Sequence, residues 1–300
     1  MASRFPRRGR ALCAGVLSLC TGLAGCSLDA AGTRVAAGAL AGQGDVFASD
    51  DDPDLIAAAA PFGLKVTDAL IAKRPDDRTL RLSAARGYAQ YAYAFVQLPA
   101  DPLEARDVGA AYEQRARARR LYLRARDHGL AALGLAPDFQ EQGASSLTRM
   151  RRENAEALYW TAAAWFGAIT LAKDDPVMLA SLPRAQALLD RAEALDADAA
   201  GGAIHVLQLA VEAGRPDAGA DALERARRRY ERALSVTGGR DAGVHVAMAE
   251  AIAQRRGTKA EFEALLQRAL SVNADADPAR RLANHVAQRR ARWLVTQTED

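Results

Sequence analysis

The chain has 300 residues, half of them apolar, with 40 basic and 37 acidic groups. Four of the arginines lie in the first 25 residues, a segment read below as a discarded signal; without them 36 basic groups face 37 acidic ones. The net charge of −1 excludes an argument for nucleic acid or an anionic surface from the apparent pI near 8.9. Cys13, Cys20 and Cys26 all precede residue 27, so Cys nucleophiles, Cys-ligated metals and disulfides are excluded from the body that follows.

Residues 1–25 have the layout of an export signal. Arg4, Arg7, Arg8 and Arg10 make a positive start, and Ala11 to Leu19 an apolar stretch too short to stay in a bilayer as a spanning helix. Leu23-Ala24-Gly25-Cys26 then forms a lipobox, with small residues before a cysteine whose thiol takes a diacylglycerol. Cleavage leaves Cys26 as an acylated N-terminus, and several acyl chains at about 0.8 kcal/mol per buried methylene hold a protein on a membrane. Ser27, rather than Asp, follows the cysteine and favours the outer membrane, facing the periplasm. The expected divisions are 1–25 signal peptide, 26–49 lipidated cysteine with an Ala/Gly-rich tether, and 50–300 an all-helical body.

No convincing strand-like alternation occurs, and the body divides into helical blocks at Pro, Asp and Gly. Asp50-Asp51-Asp52-Pro53 starts a helix over 54–73. The next blocks are 78–98, 104–135, 153–172, 177–195, 200–213, 218–236, 241–256, 259–272 and 278–296. In the long block Arg115, Arg119 and Arg126 share one edge and Arg117, Arg120 and Arg124 the other, on a wheel of about 100° per residue. Leu123 and Leu130 lie between these edges on one side, Leu121 and Tyr122 on the other, which suits a helix wedged between neighbours with ion-paired edges. Residues 157–172 carry no charge and are too short to span a membrane, so they predict the centre of a core. The segments at Arg191, Arg232 and Arg268 echo one another at spacings of 41 and 36 residues, near the roughly 34-residue tetratricopeptide (TPR) period. The fold class expected is therefore all-α, a TPR-like α-solenoid or helical-repeat bundle.

The search for chemistry finds no GxSxG, P-loop, GxGxxG or HExxH pattern. His128, His205, His245 and His285 stand apart, without metal-ligand spacing. The acid pairs Asp76-Asp77 and Asp174-Asp175 sit where helix caps are expected. No catalytic residue, metal site or cofactor is expected. The aromatics are more suggestive. Tyr88, Tyr91 and Phe95 share a helix face, and Tyr159, Trp160, Trp165 and Phe166 crowd the uncharged block. They form either core packing or an apolar cleft with phenol and indole groups at its rim, able to hold a small hydrophobic or amphipathic ligand.

Several motifs, in order, resemble the T-component (TatT) family of lipoproteins of TRAP (tripartite ATP-independent periplasmic) transporters. They are Asp52-Pro53-Asp54-Leu55, Ala60-Pro61-Phe62, Tyr91 to Val96, Arg117 to Asp127, Ala157-Leu158-Tyr159-Trp160, Lys173-Asp174-Asp175-Pro176, Leu282-Ala283-Asn284 and Arg290 to Leu294. The resemblance implies a TPR-like periplasmic body, often trimeric. It also implies association with the periplasmic substrate-binding protein (P-component) and help in delivering small organic, hydrophobic ligands. The family supplies no catalytic residues. The segments Gly201-Gly202-Ala203 and Arg215 to Gly219 are shorter than the family's Pro/Gly-rich linker. Site residues expected are Cys26 for lipidation and Tyr91, Tyr159, Trp160, Trp165 and Asn284 for the cleft; Asn284 enters only through the resemblance, and a capping or core role suits it equally. The alternative is a general TPR-like adaptor lipoprotein in envelope assembly, with no small-molecule ligand.

Overall fold

Carboxylates in the turns fix where several of the helices begin. The structure is a computed structural model and describes residues 43–139, 145–215, 219–255 and 258–297; the signal segment and Cys26 lie outside the described residues. Asp52 accepts hydrogen bonds from the amides of Asp54 and Leu55 at the start of α2 (Pro53–Lys73), which follows the short α1 (Gln43–Ala48). Asp77 does the same for α3 (Arg78–Tyr91) and Asp107 for α5 (Val108–Leu133), with α4 (Ala100–Glu104) between them. Each such cap satisfies donors that the first helical turn leaves open. The acid pairs of the turns thus act as caps, as Asp77 and Asp175 show.

Beyond α3 the chain passes at Ala92 into a π-helical turn over Ala92–Gln97, where the Leu98 amide donates to the Tyr93 carbonyl five residues back at 3.0 Å. A single turn, α6 (Ser145–Thr148), precedes α7 (Ala155–Thr170). The block expected at 177–195 is two helices, α8 (Pro176–Ala180) and α9 (Leu182–Leu195), broken at Ser181 because Pro183 opens a new first turn. Then follow α10 (Ala203–Gly214), α11 (Ala222–Thr237), α12 (Ala242–Gln254), α13 (Lys259–Ser271) and α14 (Arg281–Thr296). Two differences from the sequence reading are real structure where punctuation or tether was expected. Asp101 and Pro102 are helical in α4, and residues 43–48 of the expected tether form α1, whose Phe47 packs on the core.

Helix α5 lies between α3 and α7, and α7 between α5 and α9. The approach of α5 to α7 requires glycine: a Cβ on Gly129 would stand 2.2 Å from the Thr161 hydroxyl, and one on Gly167 2.7 Å from the Tyr122 ring. One of the two arginine edges of α5 is partnered along its length. Arg115 binds Asp101 and Glu104, Arg119 binds Asp175, and Arg126 stacks over Trp165. The uncharged α7 is the centre of the first core, around Leu158, Trp165 and Ala168. A second core, around Leu209, Tyr230, Met248, Ile252 and Leu266, joins α10 to α14. Helix α10 belongs to both, through Ile204 and Leu209. The chain then returns on itself. Helix α14 packs on α12 and α13 and also meets α1 and α2; Arg281 donates to the Ser49 carbonyl at 3.0 Å and Arg289 pairs with Asp54 at 2.8 Å.

Candidate ligand cavity

Because the two ends meet, they enclose a space between them. A cavity of about 350 Å³ lies among α2, α3 with its π turn, the start of α12, and α14, with Phe47 of α1 at its edge. That volume falls in the range of small-molecule sites, roughly 300–1,000 Å³. Helix α2 contributes Ile56, Ala60 and Leu64, and α14 contributes Leu282 and Val286. The π turn widens the third wall: Tyr91, Tyr93, Ala94, Phe95 and Leu98 all reach it, a broader arc than one α-helical face spans. Tyr93 is 44% exposed, and the space it borders is this cavity.

Three charged side chains reach the same space. Asp241 caps α12 through the Gly243 amide at 2.9 Å and pairs with Arg280 at 2.7 Å. Arg290 joins Asp101 at 2.7 Å and Glu250 at 2.9 Å, and its guanidinium lies over Trp293. Burial pushes the Glu250 carboxyl up, while Arg290 opposes that rise. Arg86 faces Glu156 at 3.6 Å, beyond hydrogen-bond length. Among the described residues no three His, Cys, Asp or Glu side chains come together as a metal site.

The expected cleft residues separate on this map. Tyr91 lines the cavity, 9% exposed, with its hydroxyl accepting from Arg117 at 3.4 Å. Trp165 does not: it is 1% exposed, its indole donates to Ser181 Oγ at 2.8 Å, and it is a core side chain. Tyr159 is buried behind the wall, edge-on to Trp160. Trp160 is half-buried and donates to Glu156 at 3.2 Å, one layer behind Arg86. Asn284 is fully buried; its oxygen accepts from the Ala242 amide at 2.9 Å and its nitrogen donates to the Arg240 carbonyl at 3.0 Å. Its polar groups are thus spent on holding the start of α12 against α14. Apart from Tyr91, the residues expected in the cleft stand outside its walls, because aromatic density in α7 marks the core.

The sequence pattern of the TRAP transporter T-component family matches residues 49–300. The chain belongs to the TRAP transporter T-component family. It is also 31% identical over 264 residues to an uncharacterised protein of Treponema pallidum (strain Nichols), covering 85% of this chain and 82% of that one. In this T-component the residues that the sequence reading missed are Phe47, Leu64, Arg86, Tyr93, Leu282 and Val286. Tyr93 belongs to the quoted stretch Tyr91 to Val96 and Leu282 to the quoted Leu282-Ala283-Asn284, which were the available signals. The others are single apolar or charged positions on helices that meet only in space.

Proposed function

We propose that the chain is a lipoprotein anchored through Cys26 in the outer membrane, facing the periplasm, and acts as a scaffold for uptake of a small organic, largely apolar ligand. In this reading it binds the periplasmic substrate-binding protein of its TRAP transporter, and the ligand occupies the cavity between α2, α3 and α14. The cavity itself carries the reading: it is open, walled mainly by aliphatic and aromatic side chains, and built where the two ends of the chain meet. Family membership supports the transport role, and the lipobox supports the anchor. The body is a TPR-like trimer in this reading, and its work is non-covalent.

Native mass spectrometry of the mature chain, alone and mixed with a TRAP substrate-binding protein encoded beside it, tests this. The expected result is a trimer that takes up the binding protein. A monomer that ignores the binding protein would overturn the transport reading and leave a helical adaptor of the envelope.

A further inference from the structure

One wall of the cavity is not apolar. Ser83, Arg86 and Gln90 follow one another on α3 at spacings of three and four residues, which places them on one face, and all three line the cavity. Among the described residues, none of the three side chains makes a hydrogen bond. The other charges of the cavity are taken: Asp241 by Arg280 and the Gly243 amide, Arg290 by Asp101 and Glu250. Arg86 has only Glu156, at 3.6 Å. That carboxylate is 42% exposed and already accepts from the Trp160 indole. A solvent-screened pair without a hydrogen bond is worth little and yields to a closer acceptor.

Resting on the ligand-binding reading above, we infer that the cavity takes an amphiphile with a carboxylate head and an apolar body, the head held by Arg86, Gln90 and Ser83. A guanidinium, an amide and a hydroxyl in a row offer several donors to one group of acceptors, and a carboxylate is a small anionic group that accepts from all three. Leu64, Leu282 and Val286, which also line the cavity, offer no polar group to a second head. An amine would meet the Arg86 charge, and an alcohol would leave the guanidinium without a counterion.

The test is calorimetric titration of the whole mature chain, carrying Cys26→Ser to prevent acylation, with decanoate, 1-decanol and decylamine below their aggregation limits. Decanoate is expected to bind at least about tenfold more tightly than either analogue. Arg86→Gln is expected to weaken decanoate about tenfold or more, the loss of one charge-assisted hydrogen bond, and to leave decanol within about twofold. If Arg86→Gln disturbs folding by circular dichroism, Gln90→Leu carries the comparison, with a severalfold loss expected for decanoate alone. Equal binding of decanoate and decanol, or a preference for decylamine, overturns the carboxylate assignment while the cavity remains a ligand site. No binding of any of the three overturns both.

Discussion

His245 shows how burial turns a single residue into a pH-dependent contributor to stability. Its imidazole is buried on α12, with the Tyr230 hydroxyl 2.9 Å from Nδ1. Burial holds its pKa below the ordinary value, the nearby Arg268 guanidinium lowers it further, and Asp241 opposes them. The folded protein therefore binds this proton less readily than the unfolded chain. Stability from His245 is present above about pH 6.5, the unfolded value, and is lost as pH falls from there toward the lower folded value. Thermal unfolding followed from pH 8 to pH 5 should show the midpoint falling below pH 7, with a shallower fall in His245→Gln. An unchanged slope in that variant would show that His245 contributes nothing to it. His128, lowered by burial despite Asp68 beside it, acts in the same direction and leaves a residual slope.

The elements follow local chemistry where they begin and close-packing where they meet. The caps at Asp52, Asp77 and Asp175 were legible because a cap needs only the two or three amides that follow it, whereas those at Asp107 and Asp241 were not singled out. The π turn over Ala92–Gln97 was not legible, since Ala-Tyr-Ala-Phe-Val-Gln is compatible with an ordinary helix. Nor was the approach of α5 to α7 at Gly129, where the facing Thr161 lies 32 positions away in the sequence. Gly129→Ala adds a methyl where the Thr161 side chain already stands. It should cost about 1–3 kcal/mol by denaturant unfolding despite the better helix propensity of alanine. A stabilised variant would mean that the two helices can separate at no expense.

At the scale of the molecule, the closure of the C-terminal helix on the N-terminal ones makes the cavity, and Arg290 is the side chain that ties most of it together. It links α14 to Asp101 on α4 and Glu250 on α12. The exposed pair Arg289–Asp54 adds little. Arg290→Met should destabilise the fold by about 2 kcal/mol, less than the ~3–5 kcal/mol of a fully enclosed pair because the Glu250 side chain keeps 29% of its surface exposed. Adding Glu250→Gln should restore most of that loss in the double variant, since the cost lies in stranding a carboxylate. Denaturant midpoints of the two variants measure it; equal destabilisation in both would contradict the assignment.

By itself the sequence determined the all-helical class, the course of most of the longer helices to within a few residues, the buried centre at α7 and the family, because caps, turn punctuation and apolar runs act over a few residues. It also marked Tyr91. The tertiary structure alone shows that Asn284 and Trp165 are buried with their polar groups bonded within the fold, and that Phe47, Leu64, Arg86 and Val286 share one space. The reason is the same for each: those positions are brought together by the packing of helices far apart in the chain, and α14 reaches Ser49 and Asp54 across more than 200 residues. No local pattern records a contact of that separation, whereas a buried side chain's partners are fixed only once that closure is made.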